Sequence, residues 1–260
     1  MTSVALSQYG ALSRRAILVT LRQPTSIVPA MFFPLFFMAL SSSAFERSTS
    51  LPGFPPVDSF LQFLIVTTIV QGALFGSIAA GSGMATDIEG GFYERLIASP
   101  VSRTSILVGR VAGAALIGFV QAWFFFGIAS IFGMRSEGGF LSLVMVSIVA
   151  SIVAAAMGSI SVSFALKTGS TEAVQGSFPL MFTLLFLSSA FFPRNLMDGW
   201  FQDAASLNPL SHLIEGLRTQ VIEGIQIDDY VKAMAIAVGM FVAATVTGLL
   251  ALRGRLAQRD

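Results

Sequence analysis

Six stretches of this sequence are apolar enough to cross a membrane, and none carries a charge in its interior: 25–45, 60–85, 107–132, 140–166, 176–192 and 231–252. A crossing helix takes roughly 20 mostly apolar residues. Lipid offers the backbone no hydrogen-bond partners, so each segment must satisfy its own groups internally. The chain is therefore expected to be an all-α integral membrane protein, a single transmembrane domain over 1–260. Charged residues make up only 11% of it, against about 25% in soluble domains. The absence of cysteine excludes a disulfide framework and thiolate metal sites.

The first and fifth stretches are short, and Pro29 and Pro34 interrupt the first. Proline removes an internal hydrogen bond, which a membrane tolerates where neighbours re-satisfy the backbone. A cleaved signal peptide is a rival reading of 14–45, since Arg14 and Arg15 precede the apolar run, but that run is long for such a signal. Orientation follows from loop arginines and lysines. With the N-terminus inside, the inner segments hold ten of them and the outer segments five. Both termini are thus expected in the cytoplasm.

Residues 4–22 precede any span and have the pattern of an amphipathic interfacial helix. Ala5, Leu6, Tyr9, Leu12, Ala16 and Ile17 share one face, with Arg14, Arg15 and Arg22 opposite. Such a helix is expected in the headgroup plane with its arginines toward anionic lipid. Gly72, Gly76 and Ala80, then Ser105, Gly109 and Gly113, are small residues four apart. That spacing lets helix backbones approach closely in lipid and is read here as packing within the subunit. The outer segment 193–230 is too polar to span, yet Leu207, Leu210, Leu213, Ile214 and Leu217 recur at helical spacing. Two short helices broken at Asn208-Pro209, dipping into the outer leaflet, satisfy this pattern.

Chemistry is hard to find in the chain. No P-loop is present, since Leu166 precedes the only Lys-Thr pair, Lys167-Thr168. His212 is the single histidine, which rules out a His-Glu-x-x-His metal pair. No Gly-x-Ser-x-Gly elbow supports a serine nucleophile. His212 is better read as ordering a helix end or meeting a carboxylate. No catalytic residue, metal site or bound cofactor is assigned. The span interiors offer only amides and hydroxyls (Gln62, Gln71, Gln121, Thr67, Thr68, Thr183, Ser188), whereas proton-coupled carriers use ionisable groups there. Energy is therefore expected to arrive from another subunit.

The polar loop 87–103 is where it would arrive. Asp87 to Ala98 has the pattern of a short helix with carboxylates early, stopped by Ser99-Pro100. Phe92, Tyr93 and Leu96 beside Glu94 and Arg95 make it a plug for a groove on a soluble partner. The alternative is an interfacial loop with merely solvated charges.

Three places together resemble the permease subunit of type-2 ATP-binding-cassette exporters, the group of daunorubicin-resistance, polysaccharide and lipid export permeases. One is Gly91-Phe-Tyr-Glu-Arg-Leu-Ile-Ala-Ser-Pro-Val-Ser-Arg103; the second is Phe191-Phe192-Pro193 followed by Trp200; the third is Asn208-Pro209-Leu210 running to Glu215 and Arg218. The resemblance covers nearly the whole chain. It implies a coupling helix at 88–100 that docks on a cytoplasmic ATPase, with Glu89, Phe92, Tyr93, Glu94, Arg95, Leu96, Ser99, Pro100 and Arg103 as the coupling set. It further implies re-entrant helices closing the outer side, with Pro193, Trp200, Asn208, Pro209, His212, Glu215 and Arg218 as the outer gate. ATP and Mg would bind the partner ATPase. A second copy or a paralogue, and membrane lipid, would complete the assembly, and no nucleic acid is expected. Phe75, Phe182 and Phe186 would face the cavity. The function implied is ATP-driven export of an amphipathic drug, lipid or lipid-linked glycan across a bacterial inner membrane. An uncoupled secondary transporter or channel, and a membrane scaffold, are the rivals.

Overall fold

The computed structural model describes residues 10–18, 24–99 and 103–257, and all regular structure among them is helical. A short helix at 10–18 (α1) precedes α2 (Pro24–Phe45) and α3 (Phe60–Glu89). Then come α4 (Phe92–Ala98), α5 (Arg103–Ile131) and α6 (Gly139–Thr168), followed by the short pair α7 (Thr171–Gly176) and α8 (Phe178–Phe186). The chain continues through α9 (Gly199–Leu207) and α10 (Pro209–Ile222) into α11 (Ile227–Ala257).

Five stretches are long and apolar enough to cross a membrane: Val28–Ser50, Phe60–Glu89, Ser105–Ile131, Gly139–Thr168 and Ile227–Arg255. The expected stretch at 176–192 is not among them. Pro179 lacks an N–H, so the helix divides into α7 and α8, and after Phe186 the chain leaves helical geometry. Even so, 171–190 runs alongside α3. Thr171 bonds Glu89, Met181 meets Ser77, and Ala190 accepts from Thr67. Between residues 67 and 89 an α-helix rises about 33 Å.

The centre of the bundle is α3, buried at every position from Gln62 to Leu74. A helix apolar all round belongs inside other helices, and α3 packs against α2, α5, α6, α7, α8 and α10. Beside it lies α6, which also carries α5 and α11 on its outer sides. The seams are made by small residues, as expected of helices in lipid. A Cβ on Gly118 would come 2.5 Å from the Ala154 Cβ, one on Gly81 2.7 Å from the Ser161 Cβ, and one on Gly72 2.5 Å from Phe125. The Gly72 stripe thus packs within the subunit. Gly109 and Gly113 receive α1 instead, with Leu12 and Ala16 seated on them.

The proline-interrupted α2 shows how such a helix survives. Pro34 has no N–H to give to the Ala30 carbonyl four residues back. Gln121 of α5 supplies the missing donor, its Nε2 lying 2.7 Å from that oxygen. Gln121→Leu is expected to lower stability by about 1–3 kcal/mol, the cost of a buried polar group left without a partner. Thermal unfolding of the purified protein in detergent measures this. Other polar groups inside the bundle are also spent on backbone. Thr68 donates to Leu64, Ser188 to Leu185 and Gln62 to Arg135, while Thr183, expected among them, is exposed and bonds Pro179.

Candidate functional site

At one end of the bundle, α3 runs on to Glu89, past its expected stop at residue 85. α5 begins at Arg103, ahead of its expected start at 107. These extensions bring Asp87 and Arg110 together. Gly90 donates to the Thr86 carbonyl and closes α3. Gly91, at φ 68°, then turns the chain into α4 through a left-handed conformation that other residues resist.

Asp87 is the hub. Arg15 of α1 grips its carboxylate as a fork, at 3.0 and 2.9 Å. Arg110 of α5 bonds the same carboxylate and also gives an N–H to the Gly83 carbonyl at 2.8 Å. The side chains of Asp87 and Arg110 are only 13% and 7% exposed, so the pair sits in a weakly screened setting. Arg15 also lies over the Phe92 ring, 4.0 Å from its centroid. It was expected to face lipid; instead it turns inward, because a carboxylate and an aromatic face are both within reach. Arg14 is exposed, and Arg22 lies outside the described residues.

α4 is anchored through Tyr93, fully buried in an apolar cluster with Met84, Ile88, Ile106, Leu107 and Leu166. Leu96 and Ile97 pack on the edge of the same cluster. Arg255 of α11 approaches the Tyr93 ring to 5.7 Å and donates to the Leu166 carbonyl. Ser99 closes α4 with an Oγ bond to the Leu96 carbonyl. Glu89 is engaged with α7, accepting from the Thr171 N–H at 2.8 Å and from its hydroxyl. Arg95 and Ala98 face outward, while Glu94 and Ser99 are half-buried. Arg103 begins α5, and Pro100 lies outside the described residues. The result is a short helix clamped to α1, α3, α5 and α11, with one face open.

At the opposite end, the residues of 193–230 account for the broken end of α8. The last carbonyls of a helix have no partner within it. Asn208 Nδ2 donates to Leu184 and Leu187 at 2.6 and 2.9 Å, while its Oδ1 caps α10 at the Leu210 N–H. Arg218, buried, holds the turn that follows α8. Its guanidinium donates to the carbonyls of Ser189 and Ala190 and to that of Phe63 on α3. It also donates to Thr67 Oγ1 and stacks 3.6 Å above the Phe63 ring. Pro209 starts α10, where its missing N–H is harmless. Glu215 pairs with Arg194 at 2.7 Å. His212 donates from Nε2 to the Ser206 carbonyl at the end of α9, the helix-ordering role expected of it. Pro193 is buried and leads into the turn Arg194–Leu196, and Trp200 stands exposed on α9.

Phe75, Phe182 and Phe186 do come together. They belong to a column of rings from Phe178 through Phe182 and Phe186 to Phe191, joined by Phe33, Phe37 and Phe75 at centroid distances of 4.6–6.3 Å. At its far end a cavity of about 280 Å³ opens, lined by Phe37, Phe186, Phe191, Phe192 and Phe201, with Ser41 and Ser188 as hydroxyls. Phe186 lines this cavity; Phe75 and Phe182 extend the column behind it.

A bundle of long apolar helices with one short helix clamped across a single end defines a multi-pass membrane protein. Residues 37–252 match the ABC-2 family transporter proteins, and the chain belongs to that family. It is 27% identical to a daunorubicin resistance ABC transporter permease protein, DrrB1, of Streptomyces coeruleorubidus, over 76% of this chain and 69% of that one. It is 30% identical to a putative transport permease, ycf38, of Porphyra purpurea, over 82% and 73% of the two chains. A probable doxorubicin resistance ABC transporter permease protein, DrrC, of Mycobacterium tuberculosis shares 23% over 86% and 80%.

Proposed function

We propose that this chain is the permease subunit of an ATP-driven exporter, with α4 as the coupling helix that receives the stroke of a separate ABC ATPase. The observation that carries this reading is the seating of α4. Tyr93 roots it in the core and Arg15–Asp87–Arg110 braces it, while Arg95 and Ala98 stay open to a partner. The P-loop missing from the sequence is then the partner's to supply, together with ATP and Mg. Arg14, Arg15, Arg95, Lys167, Arg253 and Arg255 crowd the α4 end, which supports placing it, and both termini, in the cytoplasm of a bacterial inner membrane. The 171–190 segment completes a sixth crossing in pieces, and α9 with α10 form the re-entrant outer closure. The relatives' names and the phenylalanine-lined cavity support an amphipathic, drug-like or lipid-like cargo, since aromatic walls offer broad apolar contact. The working unit has two permeases and two ATPases.

The test is co-purification of the tagged permease in mild detergent, followed by ATPase assay of the captured partner. Wild type is expected to hold an ABC ATPase at 1:1 stoichiometry. Arg95→Glu reverses an exposed charge and is expected to weaken capture about tenfold or more, as opposed like charges cost several kcal/mol at an interface. Its melting temperature should be unchanged. No ATPase bound to intact wild-type protein would sink the proposal and favour an uncoupled transporter or a scaffold.

A further inference from the structure

Beside the α4 end, the last turns of α6 and α11 enclose a groove of about 440 Å³. Its floor is Leu166, Thr247, Leu250 and Ala251, on helices long and apolar enough to cross a membrane. Its rim carries Lys167 and Arg255, with exposed Arg253 one residue from the mouth. The mouth itself is kept open by Gly254, where a Cβ would meet nothing within 4 Å. No packing contact within the described residues therefore calls for glycine there.

We infer that this groove is a binding site for an anionic phospholipid, its phosphate between Lys167 and Arg255 and its acyl chain along Leu250 and Leu166. The argument is one of matched chemistry at matched depth. The floor is apolar and lies on membrane-crossing helices; the rim is cationic and sits at their ends, where headgroups lie. Basic pockets between helix ends at a membrane surface hold anionic headgroups by this combination. Arg255 is held in place by its bond to the Leu166 carbonyl, so it meets the phosphate already oriented, while Lys167 is exposed and free to fold over it. Among the described residues no acidic side chain lines the groove. The site requires membrane insertion, but it does not depend on the exporter reading.

The test uses the full chain purified in detergent, stripped of lipid and examined by native mass spectrometry. Phosphatidylglycerol and phosphatidylcholine of identical acyl chains are added in turn. Wild type is expected to retain one phosphatidylglycerol at activation energies that remove phosphatidylcholine. Lys167→Gln should weaken that retention about fivefold, the worth of one basic residue near an anionic surface. Gly254→Leu fills the mouth and should abolish retention without lowering the melting temperature. Equal retention of the two lipids by wild type, or undiminished phosphatidylglycerol on Gly254→Leu, overturns the inference. Inorganic phosphate that stabilises wild type as much as the lipid does would make this a free-anion site and overturn it as well.

Discussion

Asparagine in place of Asp87 is expected to destabilise the protein by about 3–5 kcal/mol, the cost of stripping a buried charge of its partner. The asymmetry of the cluster makes the prediction specific. One carboxylate serves two guanidiniums, Arg15 at 2.9 Å and the more buried Arg110. Its removal leaves two cations facing each other at the end of the bundle. Arg110→Met leaves Asp87 still paired with Arg15 and should cost less. Arg15→Met, at a side chain 35% exposed, should cost about 1 kcal/mol or less in charge pairing. Thermal unfolding in detergent should therefore rank the three as Asp87→Asn, Arg110→Met, Arg15→Met. Any other order would show that the carboxylate is not the hub. The double variant Asp87→Asn with Arg110→Met should recover part of the loss, because removing both members of a buried pair is far cheaper than removing one. Transport should follow a different ranking. Arg15 lies over Phe92 of α4 at 4.0 Å, so on the proposed exporter reading its loss should weaken coupling beyond its small effect on melting.

Much of this arrangement was legible in the sequence, and the parts that were not have physical reasons. Long apolar runs gave the helices, because lipid leaves the backbone no other option. The stop of α4 at Ser99 was legible in the Ser-Pro step, but its start was read at Asp87; Gly90 and Gly91 divide that stretch, so 87–89 belong to α3 and α4 begins at Phe92. Arg110 seemed to stand only at the approach to a span, since hydropathy sees a charge as an end and is blind to its partner 23 residues away. The same blindness sent Arg15 toward lipid. Its partners, Asp87 and Phe92, lie on other elements. The stretch 176–192 looked like one crossing because its composition is apolar throughout. Pro179 and the turn after Phe186 divide it, and only tertiary donors make that division tolerable. Those donors, Asn208 and Arg218, were singled out for a resemblance, and their geometry supplies the physical reason for them: Asn208 satisfies carbonyls at the end of α8 and Arg218 those of the turn after it.

Arg218→Met is the second substitution expected to do great damage. Its guanidinium donates to the Ser189 carbonyl through both terminal nitrogens, each at 3.3 Å, and shares the Ala190 carbonyl with Thr67. Each carbonyl left buried without a donor costs about 1–3 kcal/mol, and the stacking on Phe63 is lost in addition. Lysine should rescue only in part. Its single ammonium keeps the charge but cannot reach Phe63, Ser189 and Ala190 together as a planar fork does. The effect should also spread to the cavity. Ser188, Phe191 and Phe192, which line it, flank the turn that Arg218 holds against α3. A loosened turn moves those rings while leaving α4 and its braces at the far end intact. On the proposed exporter reading, Arg218→Lys should therefore bind the ATPase as wild type does, yet show weaker stimulation of ATP hydrolysis by cargo. Asp87→Asn should show the reverse, with cargo still bound and the ATPase no longer responding. If both variants fail in the same step, the two ends of the bundle do not act as separate stations, and the division of labour argued from their contacts is wrong.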